Sequence, residues 1–224
     1  MNLLKRVQLI LLSFTVILFN YKSLAEPANL GLAFNQVKQY HDSGEYYREL
    51  QQAIMQAHKD IITLAEANQK LAKPQKLALV LDIDETSLTN YQKMIARKFM
   101  GDPKIWHKEI MAADAPAIKP MLELYNDALK HGIAVFFVTG RNTTERKATE
   151  QNLALAGYKG WSDIYFRPLD YHYGSIAQFK TQARANISKK GYTIIASIGD
   201  QLSDLTGGYA RKLVKLPNPF YYIS

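Results

Sequence analysis

Between residues 77 and 216, short apolar runs alternate with amphipathic stretches, and this alternation restricts the chain to very few architectures. Residues 77–83, 133–138, 163–166, 193–198 and 213–216 read as strands. Residues 120–130, 145–156 and 175–189 read as helices, with a further short helix near Ser203. Strands and helices alternating at this spacing form a parallel sheet with helices on both faces, because each crossover must carry the chain back to the same edge. The expected fold class is α/β, a Rossmann-like three-layer α/β/α arrangement. The punctuation agrees: Pro120 opens a helix and Gly132 follows its end, Asn142 with Glu145 forms a capping-box pattern, and Gly157 and Gly191 follow the next two helices.

Ahead of this region, Leu50, Ile54, Ala57, Ile61, Leu64 and Leu71 recur at helical spacing, and a shorter helix is expected around residues 30–40. Asp42-Ser43-Gly44 separates the two, and Pro74 closes the segment. Residues 26–75 thus read as an N-terminal helical segment packing on a core that spans residues 76–224. Residues 87–119 fit neither pattern. They include Tyr91, Met94, Ile95, Phe99, Met100 and Trp106, interrupted by Gly101 and Pro103, and are expected to form a small inserted cap over the sheet's carboxyl edge.

The first 25 residues have the layout of a secretory signal peptide: Lys5 and Arg6, an apolar run from Val7 to Phe19, then Ser23-Leu24-Ala25. An uncleaved anchor is the alternative, but that run of about 13 residues includes Gln8, Ser13 and Thr15, whereas a span needs roughly 20. Cleavage after about Ala25 would leave a periplasmic or secreted chain with no stable membrane anchor. It would remove three cations, Lys5, Arg6 and Lys22, and no acidic residue, so the formal charge would fall from +8 to +5. The remaining lysines and arginines are scattered, without the basic run of a nucleic-acid polymer binder. The excess positive charge suits a small anionic substrate, or solubility alone. With no cysteine in 224 residues, structural disulfides and a lipid-modified N-terminal cysteine are excluded.

The first strand runs into Asp82-Ile83-Asp84-Glu85-Thr86, at the edge where open parallel sheets collect ligands. Two carboxylates one residue apart repel, and a divalent cation such as Mg²⁺ is the usual reason to tolerate them. A solvated acidic loop is the plainer account of that pair alone. Three further clusters fall at the same edge: Thr139-Gly140-Arg141, Lys180 near a helix start, and Gly199-Asp200 with Asp204 four residues on. Phosphoryl transfer needs such a set, since charge on three oxygens calls for a cation, donors and a positive side chain. Thr139 offers a hydroxyl, the Gly140 region backbone N–H groups, and Lys180 a charge. Asp200 can complete the carboxylate set around Mg²⁺, and Asp204 can steady Lys180 or a metal-bound water, an exposed helix position being its plainer account. Arg141 and Arg184 are candidates for phosphate contact or surface pairing. The five histidines show no metal-ligand spacing.

These residues resemble the four motifs of the haloacid dehalogenase (HAD) superfamily, in the branch of secreted class C-like acid phosphatases, subfamily IIIB, related to plant vegetative storage proteins. Asp82, Asp84 and Thr86 match the first motif, Thr139 the second, Lys180 the third, and Gly199, Asp200 and Asp204 the fourth. The resemblance implies an exported Mg²⁺-dependent acid phosphatase acting on small phosphomonoesters, nucleoside monophosphates among them. Asp82 would be the nucleophile that forms an aspartyl-phosphate, and Asp84 the acid and then the base. Thr139, Gly140 and Lys180 would bind the phosphoryl group. Mg²⁺ would be held by the Asp82 carboxylate, the Asp84 backbone carbonyl and Asp200, with Thr86, Arg141 and Asp204 supporting. Two alternatives stay open: a non-catalytic storage or binding relative, against which the retained Asp82 speaks, and phosphotransfer through the same intermediate. Tyr91, Phe99, Trp106, Tyr171, His172 and Tyr173 are candidates for stacking on an aromatic leaving group, or for packing.

Overall fold

The computed structural model describes residues 29–171 and 174–223. The expected signal peptide, residues 1–25, and the candidate stacking residues His172 and Tyr173 lie outside the described residues. The chain runs through α1 (Leu30–Asp42), α2 (Glu45–Gln69), β1 (Lys76–Leu81), α3 (Tyr91–Ala96), α4 (Pro103–Met111), α5 (Lys119–Lys130) and β2 (Ala134–Asn142). It continues with α6 (Arg146–Leu155), β3 (Asp163–Arg167), α7 (Ile176–Lys189), β4 (Tyr192–Gly199) and β5 (Ala210–Lys215). Short 3-10 turns at Thr143–Glu145 and Leu202–Asp204 follow β2 and β4. No helix among the described residues is long and apolar enough to cross a membrane.

All five strands are parallel, in the order β3-β2-β1-β4-β5, which is the layered architecture expected from the alternation. The period of two along β1 explains the layers. Leu77, Leu79 and Leu81 face one apolar cluster with α2, α5 and α6, while Ala78 and Val80 face a second one with Ala183 and Ile187 of α7. On α2, Tyr46, Leu50, Ile54, Ala57, Ile61 and Ala65 form one buried face, and the helix packs on α5. Burial of six such residues on one stripe, rather than helix propensity, is what stabilises it.

β5 begins at Ala210, earlier than the apolar signal at 213–216 suggests. As an edge strand it leaves Arg211, Leu213 and Lys215 exposed, so polar residues there do not break it. Residues 87–119 contain α3 and α4. α4 opens on Asp102, whose side chain accepts from the Lys104 N–H at 2.8 Å, with Pro103 in the first turn, and it buries no residue of its own.

The strand order makes the central β1 the switch point: the chain leaves it for β2 and β3 on one side, then crosses over from β3 to β4 and β5 on the other. A crevice therefore opens at its carboxyl end. Leu81 pairs with Phe137 of β2 and Ile198 of β4, and the Asp82 N–H donates to the Ile198 carbonyl at 3.0 Å.

Candidate active site

Past Leu81 the chain winds once around the Ile83 carbonyl, which accepts from the N–H groups of Ser87 at 2.9 Å and Leu88 at 2.8 Å. Glu85 takes a left-handed conformation there, with φ of 52°, a strained choice for a residue with a side chain. Its buried carboxylate offsets this by accepting the Asn90 N–H at 2.5 Å. The turn brings Asp82 and Asp84 to one cavity of about 400 Å³ above the sheet edge.

Gly140, Lys180 and Asp200 reach the same cavity from β2, α7 and β4, while Trp106 and His107 of α4 line its far wall. Thr139 is fully buried beside it, and its hydroxyl accepts the Arg141 N–H at 3.1 Å. Thr86 donates to Asp200 Oδ1 at 3.3 Å. Tyr91 and Phe99 instead pack in an aromatic cluster with Phe220, Tyr171 stacks edgewise on Phe179, and Arg184 lies buried, donating to the Asp204 and Gly208 carbonyls at 2.8 and 3.0 Å.

Lys180 is the electrostatic centre. Its ammonium donates to Asp82 Oδ1 at 2.7 Å and to Asp204, all three groups being buried. Burial alone would lower its pKa, but Asp204 and Asp82 outweigh that and hold it above the ordinary range, so it stays charged. Asp204 also accepts the Gln201 N–H at 2.9 Å. It approaches so close that a Cβ on Gly199 would sit 2.2 Å from its carboxyl carbon, so the position before Asp200 admits only glycine.

Burial pushes the Asp82 carboxyl well above the usual range, with Lys180 opposing and Asp204, Asp200 and Asp84 adding to the rise. Burial would lift Asp84 too. Arg141 overrides it through a two-pronged pair, Nε to Oδ2 at 2.9 Å and Nη2 to Oδ1 at 2.6 Å, helped by Asn90 at 2.9 Å, and Asp84 ends below the usual range. Glu85 is pushed up to about 8 by burial and by the neighbouring Asp84.

The carboxylates that converge are Asp82, Asp200 and Asp204, each with an oxygen within 4.8 Å of the others. The Asp84 carboxylate is turned away to Arg141. Three buried acids, two of them on one ammonium, form a set of hard oxygen ligands that fits a divalent cation, since the charge left over is otherwise costly to bury.

The sequence reading passed over Asn90, Glu85, Arg167, Gln201 and Tyr221, all of which line the cavity, and Asn218, which contacts Asp200. Arg97, Arg141 and Lys180 are each paired with a carboxylate, whereas Arg167 has no carboxylate partner among the described residues. Its Nε donates to the Gly140 carbonyl at 3.3 Å. Its place at the carboxyl end of an expected strand was the available signal.

The fold agrees with relatives found by comparison. "Acid phosphatase 1" of Solanum lycopersicum is 34% identical over 148 residues, covering 64% of this chain and 58% of its own length. The "Stem 28 kDa glycoprotein" of Glycine max is 34% identical over 154 residues, covering 66% and 61%. The chain thus spans about three-fifths of the length of these curated relatives. Among solved structures, the class C acid phosphatase of Bacillus anthracis superimposes with a TM-score of 0.65 at 24% identity, over 85% of this chain and 86% of that one, a likeness of fold. The model of the HAD superfamily, subfamily IIIB (acid phosphatase), matches residues 27–224, everything after the first 26 residues, and the chain therefore belongs to that family.

Proposed function

We propose that this protein is an exported, Mg²⁺-dependent phosphomonoesterase that works through an aspartyl-phosphate on Asp82, with nucleoside monophosphates among its substrates. The observation that carries the reading is the buried Asp82–Lys180–Asp204 chain at the switch point of the sheet, opening on a cavity. The Asp82 carboxylate, which among the described residues accepts from Lys180 alone, is placed to attack rather than to brace the fold. Asp82, Asp200 and Asp204 would hold Mg²⁺, which when bound offsets their mutual repulsion and the charge on the phosphoryl oxygens.

The chain's own groups divide the remaining work. An Asp82 oxygen attacks phosphorus in line as the bond to the leaving oxygen breaks. Asp84 gives that oxygen its proton, then takes one from the water that opens the acyl-phosphate. Arg141 and Asn90 favour the ionised form of Asp84, so a proton is available for the first step chiefly in acid. Lys180 keeps Asp82 oriented, and the guanidinium of Arg167, bonded to the Gly140 carbonyl but without a carboxylate partner among the described residues, is a cavity cation available to an anionic substrate. The indole of Trp106, 6.2 Å from the Tyr221 ring and lining the cavity, offers an aromatic face to a base. Vegetative storage protein 2 of Arabidopsis thaliana, 30% identical over 148 residues, is the ground for a storage reading. The intact Asp82, Lys180 and Asp200 geometry favours the enzyme.

Asp82→Asn keeps the volume and removes the nucleophile. Turnover of an aryl phosphate should fall at least about 10³-fold with the thermal midpoint preserved, and EDTA should abolish wild-type turnover until Mg²⁺ is returned. Wild-type rates in the mutant, or activity indifferent to chelator, would refute the assignment.

A further inference from the structure

Asp200 has two like charges as neighbours, so something must keep its carboxylate from swinging away. Three donors do so: Thr86 Oγ1 on Oδ1 at 3.3 Å, and two amides on Oδ2, Gln201 Nε2 at 2.7 Å and Asn218 Nδ2 at 2.5 Å. Both amides are set by the segment after β5. Asn218 stands between Pro217 and Pro219, which fix φ on either side of it, and its Oδ1 accepts the Phe220 N–H at 2.8 Å, so Nδ2 is the atom aimed at Asp200. The Gln201 carbonyl oxygen in turn accepts the Ile223 N–H at 3.2 Å.

The segment is itself anchored. The buried Phe220 ring lies 5.0 Å from Tyr46 of α2, 5.3 Å from Tyr91 of α3 and 6.1 Å from His41 of α1. Leu216 continues β5 by donating to the Gly199 carbonyl at 2.9 Å. A continuous path therefore joins the N-terminal helices to the Asp200 carboxylate.

We propose that Asn218 is a positioning residue for cation binding, and that the C-terminal segment 216–223 is a working part of the site rather than a trailing end. The amides occupy Oδ2 and leave Oδ1, which takes only the long Thr86 contact, with lone pairs to offer a cation. This rests on the proposed reading of Asp82, Asp200 and Asp204 as the cation's ligands.

Asn218→Ser tests it without unmaking the turn: the hydroxyl can still accept the Phe220 N–H but cannot reach Asp200. Asn218→Ala removes both bonds. Mg²⁺ affinity of the chelator-treated chain, measured by titration calorimetry, should weaken roughly 10- to 100-fold in both variants, while their melting temperatures in EDTA stay at the wild-type value for Ser and fall for Ala. Phe220→Leu, which keeps an apolar anchor, should bind Mg²⁺ within about threefold of wild type. Serine and alanine variants that bind Mg²⁺ as tightly as wild type would overturn the proposal, as would a wild-type chain that binds none. A chain that binds Mg²⁺ with the predicted ranking yet hydrolyses no phosphomonoester would instead sink the enzymatic reading and uphold Asn218.

Discussion

Asp84 is the residue whose surroundings most constrain its chemistry. A general acid must hold a proton, yet the guanidinium of Arg141 grips both Asp84 oxygens, and Arg141 is itself fixed by Thr149 Oγ1 at 3.1 Å. Without that cation, Asn90 and Lys180 are left to oppose the upward push of burial. Arg141→Met should thus move the limb of the kcat–pH profile that needs protonated Asp84 to higher pH, by about one unit or more, the usual size of one close opposite charge. The profile is the deciding measurement, because lost packing would lower kcat at every pH without moving the limb. An unshifted limb would remove Asp84 from the acid role.

Helix α2 buries one face in the core whereas α4 buries none, and substitutions in them should separate stability from recognition. Ile61 on α2 is fully buried, so Ile61→Ala should cost about 2 to 5 kcal/mol in unfolding experiments and leave KM alone. α4 buries no residue but presents Trp106 and His107 to the cavity, His107 pairing with Glu145 at 2.9 Å. Trp106→Ala should raise KM for an aromatic phosphomonoester several-fold and shift the unfolding free energy by no more than about 1 kcal/mol. The two helices were not equally visible in the chain. Ile54, Ala57 and Ile61 repeat with the helical period, as Leu77, Leu79 and Leu81 alternate with the strand period, because burial imposes both. Asp82, Lys180 and Asp200 were legible for a related reason: each ends or follows a regular element at one edge. Which carboxylates converge was not legible, since it depends on Arg141 claiming Asp84 across 57 positions. Nor was Asn218, whose segment has no period and whose meaning appears only when Phe220 finds Tyr46.

Across the whole molecule, ionisable groups fall into two sets that pull stability in opposite directions with pH. Asp42, held down to about 2 by Lys38 and His41, and Asp60, Asp114 and Asp127, each lowered by a lysine, have folded pKa values below their unfolded ones. Their contribution is present above the unfolded value and is lost as pH falls through the folded one, which for Asp42 means from about 4 down to about 2. Asp82, Asp204 and Glu85 are raised by burial, Glu85 to about 8. Such groups favour the fold fully below their unfolded values and lose that contribution as pH climbs, for Glu85 between 4.5 and about 8. His41, lowered by burial, subtracts stability only as pH drops below 6.5. The chelator-treated protein should therefore be most stable in mild acid. Its melting temperature should fall on the order of 5 °C towards pH 8, what about one to two kcal/mol is worth in a domain of this size, and fall again below pH 4. Mg²⁺ should restore most of the loss on the neutral side, where the raised carboxyls of Asp82 and Asp204 are more ionised, and almost none on the acid side, where protons already occupy those two. Equal Mg²⁺ stabilisation at pH 4 and pH 8 in scanning calorimetry would mean that the cation binds away from Asp82, Asp200 and Asp204.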